Sequence, residues 1–232
     1  MIIKFYATPL IIFLASLLIA CDSVSPKTTT SETNISQDSS SQKSSGNYVT
    51  FDSPESLASR ADVIIVGQTK SDFQSSQAVS IDKENKGKAN IKVGQSVVVR
   101  DEMGQISDYY TITPVTIKKV LKGTDTVLEK EISVIQAGAV VEEPGRDKYI
   151  LADDGFSPLV KNAKYLLFLS KVDSTIYPNL EDTYSIISVN QGKFNLDKTD
   201  KKEAKVEADD EQYKNLKQKV MKKYDRQLDL IP

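Results

Sequence analysis

The sequence predicts a mainly β protein: a small antiparallel β-barrel with a short helix before it and an amphipathic helix after it. Three features predict this. Five or six short apolar or alternating runs follow one another between residues 51 and 195 without a helical pattern between them, and strands in that arrangement pair antiparallel. A sheet of this size hides its edges most economically by closing into a barrel or sandwich. Near the carboxyl end the apolar residues change to a helical spacing.

Ser53-Pro54-Glu55 reads as a helix start, with Ser as N-cap, Pro at the first helical position and an acid at the positive end of the dipole. The helix must be short, because Asp62 leads into Val63-Ile64-Ile65-Val66-Gly67, a β-branched run that reads as a buried strand. Lys70 to Asp108 is a long polar stretch in which only Ile91 to Arg100 has the look of a strand pair or hairpin arm; a loop of that length is functional or loosely ordered. Tyr109 to Leu121 alternates, with Ile112, Val115 and Ile117 between polar residues, and turns at Lys122-Gly123. Pro114 inside that run predicts a bulge or an edge position. Further strands are expected at Glu131–Gln136 and at Lys164–Lys171, the most apolar of all, with Tyr184–Val189 and Lys193-Phe194 as a closing pair around Gln191-Gly192.

From Ala208 to Leu228 the residues Tyr213, Leu216, Val220, Tyr224 and Leu228 fall on one helical face. Asp209, Asp210 and Glu211 in the first turn and Lys222, Lys223 and Arg226 near the end complement the dipole. This stripe is expected to pack on the barrel; the other reading has the basic half, Lys214 to Arg226, touching anionic lipid or wall polymer.

The amino end has the layout of a secretory signal. Lys4 precedes a stretch that is apolar from Leu10 to Ala20 except for Ser16, shorter than the roughly 20 apolar residues a spanning helix needs. It runs into Leu18-Ile19-Ala20-Cys21, which contains the only cysteine of the chain. That quartet resembles the lipobox of bacterial lipoproteins. The resemblance implies transfer of a diacylglyceryl group to the Cys21 sulfur and cleavage before it, leaving lipidated Cys21 as the new amino terminus. Each buried methylene of the acyl chains would contribute about 0.8 kcal/mol, so two or three chains hold firmly where one exchanges.

Between Asp22 and Thr50 there are nine Ser and five Thr and almost no apolar residues. Such a segment cannot offset its ordering entropy by burial and is expected to be a disordered tether, with a root-mean-square span of about 30 Å. A long Ser/Thr spacer behind a lipobox is similar to Gram-positive lipoproteins, with outer-membrane or periplasmic lipoproteins as the alternative. The expected organisation is therefore a signal peptide over 1–20, a lipidated Cys21 and tether over 21–50, a barrel domain over 51–195, and a linker with the amphipathic helix over 196–232.

Composition excludes several chemistries. With no His in 232 residues, Ser-His and Cys-His dyads and imidazole metal sites are impossible. One Cys closes no intramolecular disulfide. A net charge of -2 gives no basic footprint for nucleic acid, and no glycine-rich phosphate loop is present, so no cofactor is expected. The catalytic candidates are acids: Glu142-Glu143 and Asp153-Asp154 flank Arg146 and Asp147, and paired carboxylates can bind Ca²⁺ or serve as acid and base, although adjacent acids in a loop are usually a solvated surface. A Ser-Lys pair is the other catalytic option, without a specific motif for it. Tyr109-Tyr110, Tyr149, Phe156 and Tyr177 are candidates for a binding face.

The succession Ala61–Gly67, Val120–Gly123, Ile132–Gly138 and Tyr165–Leu169 is similar to a loose set of secreted, mostly uncharacterised bacterial proteins, and covers about the interval 51 to 195. The same order of strands with terminal helices resembles the netrin-like OB barrel of tissue metalloproteinase inhibitors, which implies an OB-like barrel here. Those inhibitors work through a disulfide-tied amino-terminal Cys at a metal, whereas Cys21 would carry lipid and stand apart from the barrel, so the resemblance extends to the fold and not to inhibition. The expected function is a non-catalytic binding or interaction module, anchored on the extracytoplasmic face of the cell membrane through Cys21, with an envelope protein or wall polymer as partner and no nucleic acid. The alternatives are an envelope hydrolase using carboxylates or a Ser-Lys pair, and capture of a solute or peptide.

Overall fold

The structure, a computed structural model, describes residues 41–44, 48–123, 130–153, 155–173 and 183–229. The apolar run at the amino end, Cys21, the tether up to residue 40, Asp154 and Tyr177 lie outside the described residues.

Helix α1 (Pro54–Arg60) begins as its sequence requires, with Ser53 Oγ accepting from the Ser56 N–H and Pro54 in the first turn. It ends at Ala61, and Asp62 starts the chain into strand β2 (Val63–Gln68) by donating its N–H to the Leu169 carbonyl at 2.9 Å. From β2 a ring of five strands can be followed back to itself. β2 is antiparallel to β5 (Ile106–Lys122), β5 to β6 (Glu131–Gln136), and β9 (Lys164–Lys171) to β2. The circle is completed by β10 (Thr183–Ile186), antiparallel to β9 and parallel to β6. β9 and β10 are thus exchanged around the ring relative to chain order, a Greek-key closure that makes this an OB-like barrel. That exchange also forces the single parallel pair into an otherwise antiparallel ring.

The barrel interior is filled from alternate positions of its strands: Val63 and Ile65, Val115 and Ile117, Ile132 and Val134, then Tyr165, Leu167 and Leu169. The opposite faces of β2 and β9 are equally buried, because Ile64, Val66, Leu166 and Phe168 pack outward against helices. This double burial explains why Val63–Val66 and Tyr165–Leu169 read as continuous apolar runs instead of alternating. Two residues of β5, Lys118 and Leu121, are skipped in its register with β2, and these bulges coil the 17-residue strand around the barrel.

The polar stretch from Lys70 is not a loop. It carries β3 (Gln77–Asp82) and β4 (Gln95–Arg100), which pair parallel, and β4 continues onto the first half of β5 in antiparallel register. Strand β5 therefore belongs to the barrel through its second half and to a sheet extension through its first. Pro114 sits at the changeover: β4 is in register up to Thr111, β2 from Thr116, and between them β5 has a partner only in β6, with Pro114 opposite Ser133. The proline, which has no N–H to donate, occupies this short open edge.

One face of the extension is covered by a hairpin that the sequence reading took for loop, β7 (Gly138–Val141) and β8 (Tyr149–Asp153), through Val98, Ala139, Val141 and Leu151. Residues 41–44, inside the segment expected to be a tether, form β1 (Ser41–Ser44) parallel to β8. The expected closing pair of late strands is also replaced. β10 and β11 (Lys193–Asn195) do not pair with each other but follow one another along the same edge of β9. Phe168 bonds to both ends of the connection, donating to the Gly192 carbonyl at 2.8 Å and accepting from the Ile187 N–H at 3.1 Å.

The expected linker is itself helical: α2 (Lys201–Asp209) precedes α3 (Glu211–Leu228), and both are capped by aspartates, Asp200 and Asp210. Tyr213, Leu216, Val220 and Tyr224 of α3 are buried on the outer face of β2 and β9, so the stripe packs on the barrel as its spacing predicts. The basic half of α3 is largely committed within the chain, with Lys217 on Glu203 and Glu207, Lys219 on the Asp52 carbonyl and Lys223 on Glu55. Among the described residues no helix is long and apolar enough to cross a membrane.

A Cβ at Gly192 would collide with the Ile187 carbonyl and stand 2.8 Å from the Ile187 nitrogen and 3.0 Å from the Phe168 oxygen, all of it backbone. Gly192→Ala is expected to lower stability by about 3 kcal/mol, read as a reduced urea midpoint at unchanged slope. Gly87→Ala, where an added Cβ meets nothing within 4 Å, should change it by less than about 0.5 kcal/mol.

Candidate functional site

A cleft lined by aromatic, acidic and hydroxyl side chains opens where β6 leaves β5. β6 ends at Gln136, opposite Thr111, and Ala137 turns the chain away into β7. The β5 residues before Thr111 then have β4 on one edge and a gap on the other. Tyr109 and Tyr110, pointing to opposite faces of the strand, bring their rings to this gap. Ser185 and Ser188 stand across it, and Asp153 and Phe156 close its end. The cavity is about 360 Å³, at the lower end of the range for small-molecule sites.

Its walls are held by buried polar contacts. Thr111 Oγ1 donates to the Gly138 carbonyl at 2.7 Å and is 2.6 Å from Ser96 Oγ. The Gln136 amide donates to Thr113 Oγ1 at 2.5 Å and accepts from the Leu159 N–H at 2.7 Å. Gly138 gives Phe156 its place, since a Cβ there would lie 2.6 Å from the ring. On the polar side the Tyr109 hydroxyl donates to Asp153, whose pKa is raised by burial. Asp108, at the rim, is neutralised by Lys86 at 2.6 Å.

The acids singled out from the sequence are dispersed by the fold. Glu143 binds Arg100 at 2.9 Å and Arg146 at 3.1 Å, and the Arg100 hydrogen bond holds its pKa below the ordinary range against a smaller effect of burial. Glu142 pairs with Lys148 on the surface. Asp153 alone of the described members faces the cleft. Among the described residues no three acidic or thiol side chains converge as metal ligands do. Of the candidate aromatics, Tyr109, Tyr110 and Phe156 line the cavity and Tyr149 does not, although Tyr109 and Tyr149 both pack against the Val98 cluster.

A second group of ionisable residues is buried where β9, β11, α2 and α3 meet. Lys193 Nζ donates to the Ser157 carbonyl at 2.7 Å and lies 3.4 Å from Asp200 Oδ2, and both side chains are fully buried. Asp200 Oδ2 accepts from the Tyr165 hydroxyl at 2.9 Å, while Oδ1 accepts from the Lys202 and Glu203 N–H groups and caps α2. Glu203 accepts from the Asn195 N–H and, at 2.8 Å, from Lys217. Burial pulls the Lys193 pKa down, opposed by Asp200 and Glu203. Burial would also lower that of Lys217, but its hydrogen bonds to Glu203 and Glu207 win and raise it.

This is the nearest approach to the Ser-Lys pair considered from the sequence, and it is not one. Lys193 meets the carbonyl of Ser157, and the Ser157 hydroxyl is buried without a partner. The cluster ties helices to the barrel. One signal for it was present in the sequence, since Asp200 stands three residues before Glu203 at the start of a helix, the spacing of a capping box. The Lys86–Asp108 pair had no such signal, being 22 residues apart.

Comparison with protein-family models, with curated proteins and with solved structures finds no match to the chain.

Asp200→Ala strands Lys193 in an apolar interior and is expected to cost about 3–5 kcal/mol in urea unfolding. The double variant Lys193→Met/Asp200→Ala should regain more than half of that loss, leaving about 1 kcal/mol for the missing cap.

Proposed function

We propose that the chain is a bacterial lipoprotein, held at the extracytoplasmic face of the cell membrane by acyl chains on Cys21, and that its OB-like domain is a non-catalytic binding module of the cell envelope. The anchor reading is supported by the apolar run ending in Leu18-Ile19-Ala20-Cys21 and by the Ser/Thr-rich segment behind it. The observation that carries the binding reading is the aromatic cleft beside β5, a concave site with a few oriented polar groups. The sequence has no histidine to serve as general base, and the buried lysine, Lys193, is committed to a carbonyl and a capping carboxylate. The partner expected from this location is an envelope protein or wall polymer. Capture of a smaller solute or peptide is a second reading that draws on the same cleft.

Cys21→Ala is expected to move the protein from the membrane pellet to the soluble fraction and to abolish incorporation of labelled fatty acid. Unchanged fractionation would remove the anchor from this reading. The released full-length variant should sediment saturably with envelope fragments, and adding Tyr109→Ala should weaken that retention by about 1 kcal/mol or more, roughly fivefold in affinity. Retention indifferent to Tyr109 would take the cleft out of the binding reading.

A further inference from the structure

We propose that the cleft beside β5 is a receptor for an organic ammonium group, the charged head of a small amine or quaternary ammonium ligand; this rests on the reading of the domain as a binding module. The protein seats one such group itself. The Lys86 ammonium stands 2.6 Å from Asp108 Oδ2 and 5.9 Å from the centre of the Tyr110 ring, between a carboxylate and an electron-rich aromatic face. Asp108 and Tyr110 both line the cleft.

The same pairing of carboxylate and rings recurs elsewhere in the cleft, with no cation among the described residues. Asp153 is met there by the Tyr109 hydroxyl, with Tyr48 and Phe156 contributing rings to the same cavity. Among the described residues no lysine or arginine lines the cavity. Asp153 is half-buried, and burial raises its pKa. A carboxylate stripped of part of its water and given no counter-ion regains favourable electrostatics when a cation enters. Tyrosine and phenylalanine rings favour the same occupant, since their faces attract an ammonium and its attached methyl or methylene groups.

The lining also argues against a neutral, hydroxyl-rich ligand. Sugar rings are commonly held by side chains that bridge neighbouring hydroxyls, and among the described residues the one lining amide, Gln136, already bonds to Thr113 and Leu159. No described guanidinium lines the cavity to take its place. At about 360 Å³ the cavity suits a charged head group, free or carried by a larger partner.

The test is an amide NMR titration of the full-length Cys21→Ala chain with choline chloride, with 3,3-dimethylbutan-1-ol as its uncharged counterpart of the same shape, and with the N-acetylglucosamine trimer. Choline is expected to shift the amides of Tyr109, Asp153 and Phe156 saturably, and to bind about tenfold or more tightly than the alcohol. Asp153→Asn, which keeps the acceptor for Tyr109, should weaken choline about tenfold, while Glu142→Gln, on the surface pair with Lys148, should not change it. Equal binding of choline and the alcohol would overturn the proposal, as would choline binding unaffected by Asp153→Asn in a variant whose spectrum is otherwise native. Shifts of the same amides by the sugar trimer alone would overturn the ammonium assignment and leave the cleft as a binding site. If none of the probes shifts these amides the proposal fails, and the binding reading then stands or falls on the envelope sedimentation.

Discussion

Strand β9 is hydrogen-bonded along both edges and buried on both faces, and the rest of the molecule is arranged around that condition. One edge is taken by β2 over six residues, from Lys164 to Leu169. The other is divided between β11 at Tyr165–Leu167 and β10 at Leu169–Lys171. The ring closes because β10, on one edge of β9, also pairs with β6, so the sheet is a barrel and not a sandwich. A strand with no solvent face needs cover outside the ring as well, and that is the role of α1 and α3. Phe168 shows both requirements in one residue: its backbone joins the ends of the β10–β11 connection, and its ring meets Phe194 and Tyr224 edge-on at 5.9 and 5.8 Å.

Covering an apolar outer face with helices leaves the problem of their ends. The N-cap end of α2 lies against the barrel with Asp200 and Glu203 buried, and the N–H groups that open the helix need an acceptor there. Asp200 supplies the acceptor, but its charge then needs compensation in the same interior, which Lys193 and the Tyr165 hydroxyl give. Glu203 and Lys217 repeat the arrangement between α2, α3 and β11. Such a network adds little net stability compared with an apolar core, yet it is intolerant of losing one member. It fixes the register in which the two helices dock.

The candidate site follows from the same topology. Strand β5 is much longer than β6, so one of its edges is exposed once β6 turns away, and the rings of Tyr109 and Tyr110 are drawn to the gap from opposite faces. The site combines strand residues with the connections at Ala137, Phe156 and Ser188. Its polarity is set by which charges are matched locally: among the described residues Lys86 answers Asp108, and Asp153 receives a hydroxyl.

The barrel was legible in the sequence wherever burial leaves a local pattern. The runs Val63–Val66, Ile132–Ile135 and Tyr165–Leu169 mark strands because their side chains face apolar surroundings, and α3 shows its buried stripe at Tyr213, Leu216, Val220 and Tyr224. β3 left no such trace, because Gln77–Asp82 is an edge strand whose side chains are half in water. The hairpin of β7 and β8 was obscured by the charged turn between its strands. Among functional residues the sequence singled out Tyr109, Tyr110, Phe156 and Asp153 separately, the rings as a binding face and the acid as half of a catalytic pair. That they line one cavity depends on pairings between residues more than forty positions apart, such as Tyr109 with Asp153. Local composition determined the buried strands β2, β6 and β9 and the helices α1 and α3, since their patterns depend on each segment's own solvent preference. Ring order, the open edge of β5 and the choice of which carboxylate lacks a cation were decided only by tertiary structure, because each is a relation between distant segments that neither one encodes alone.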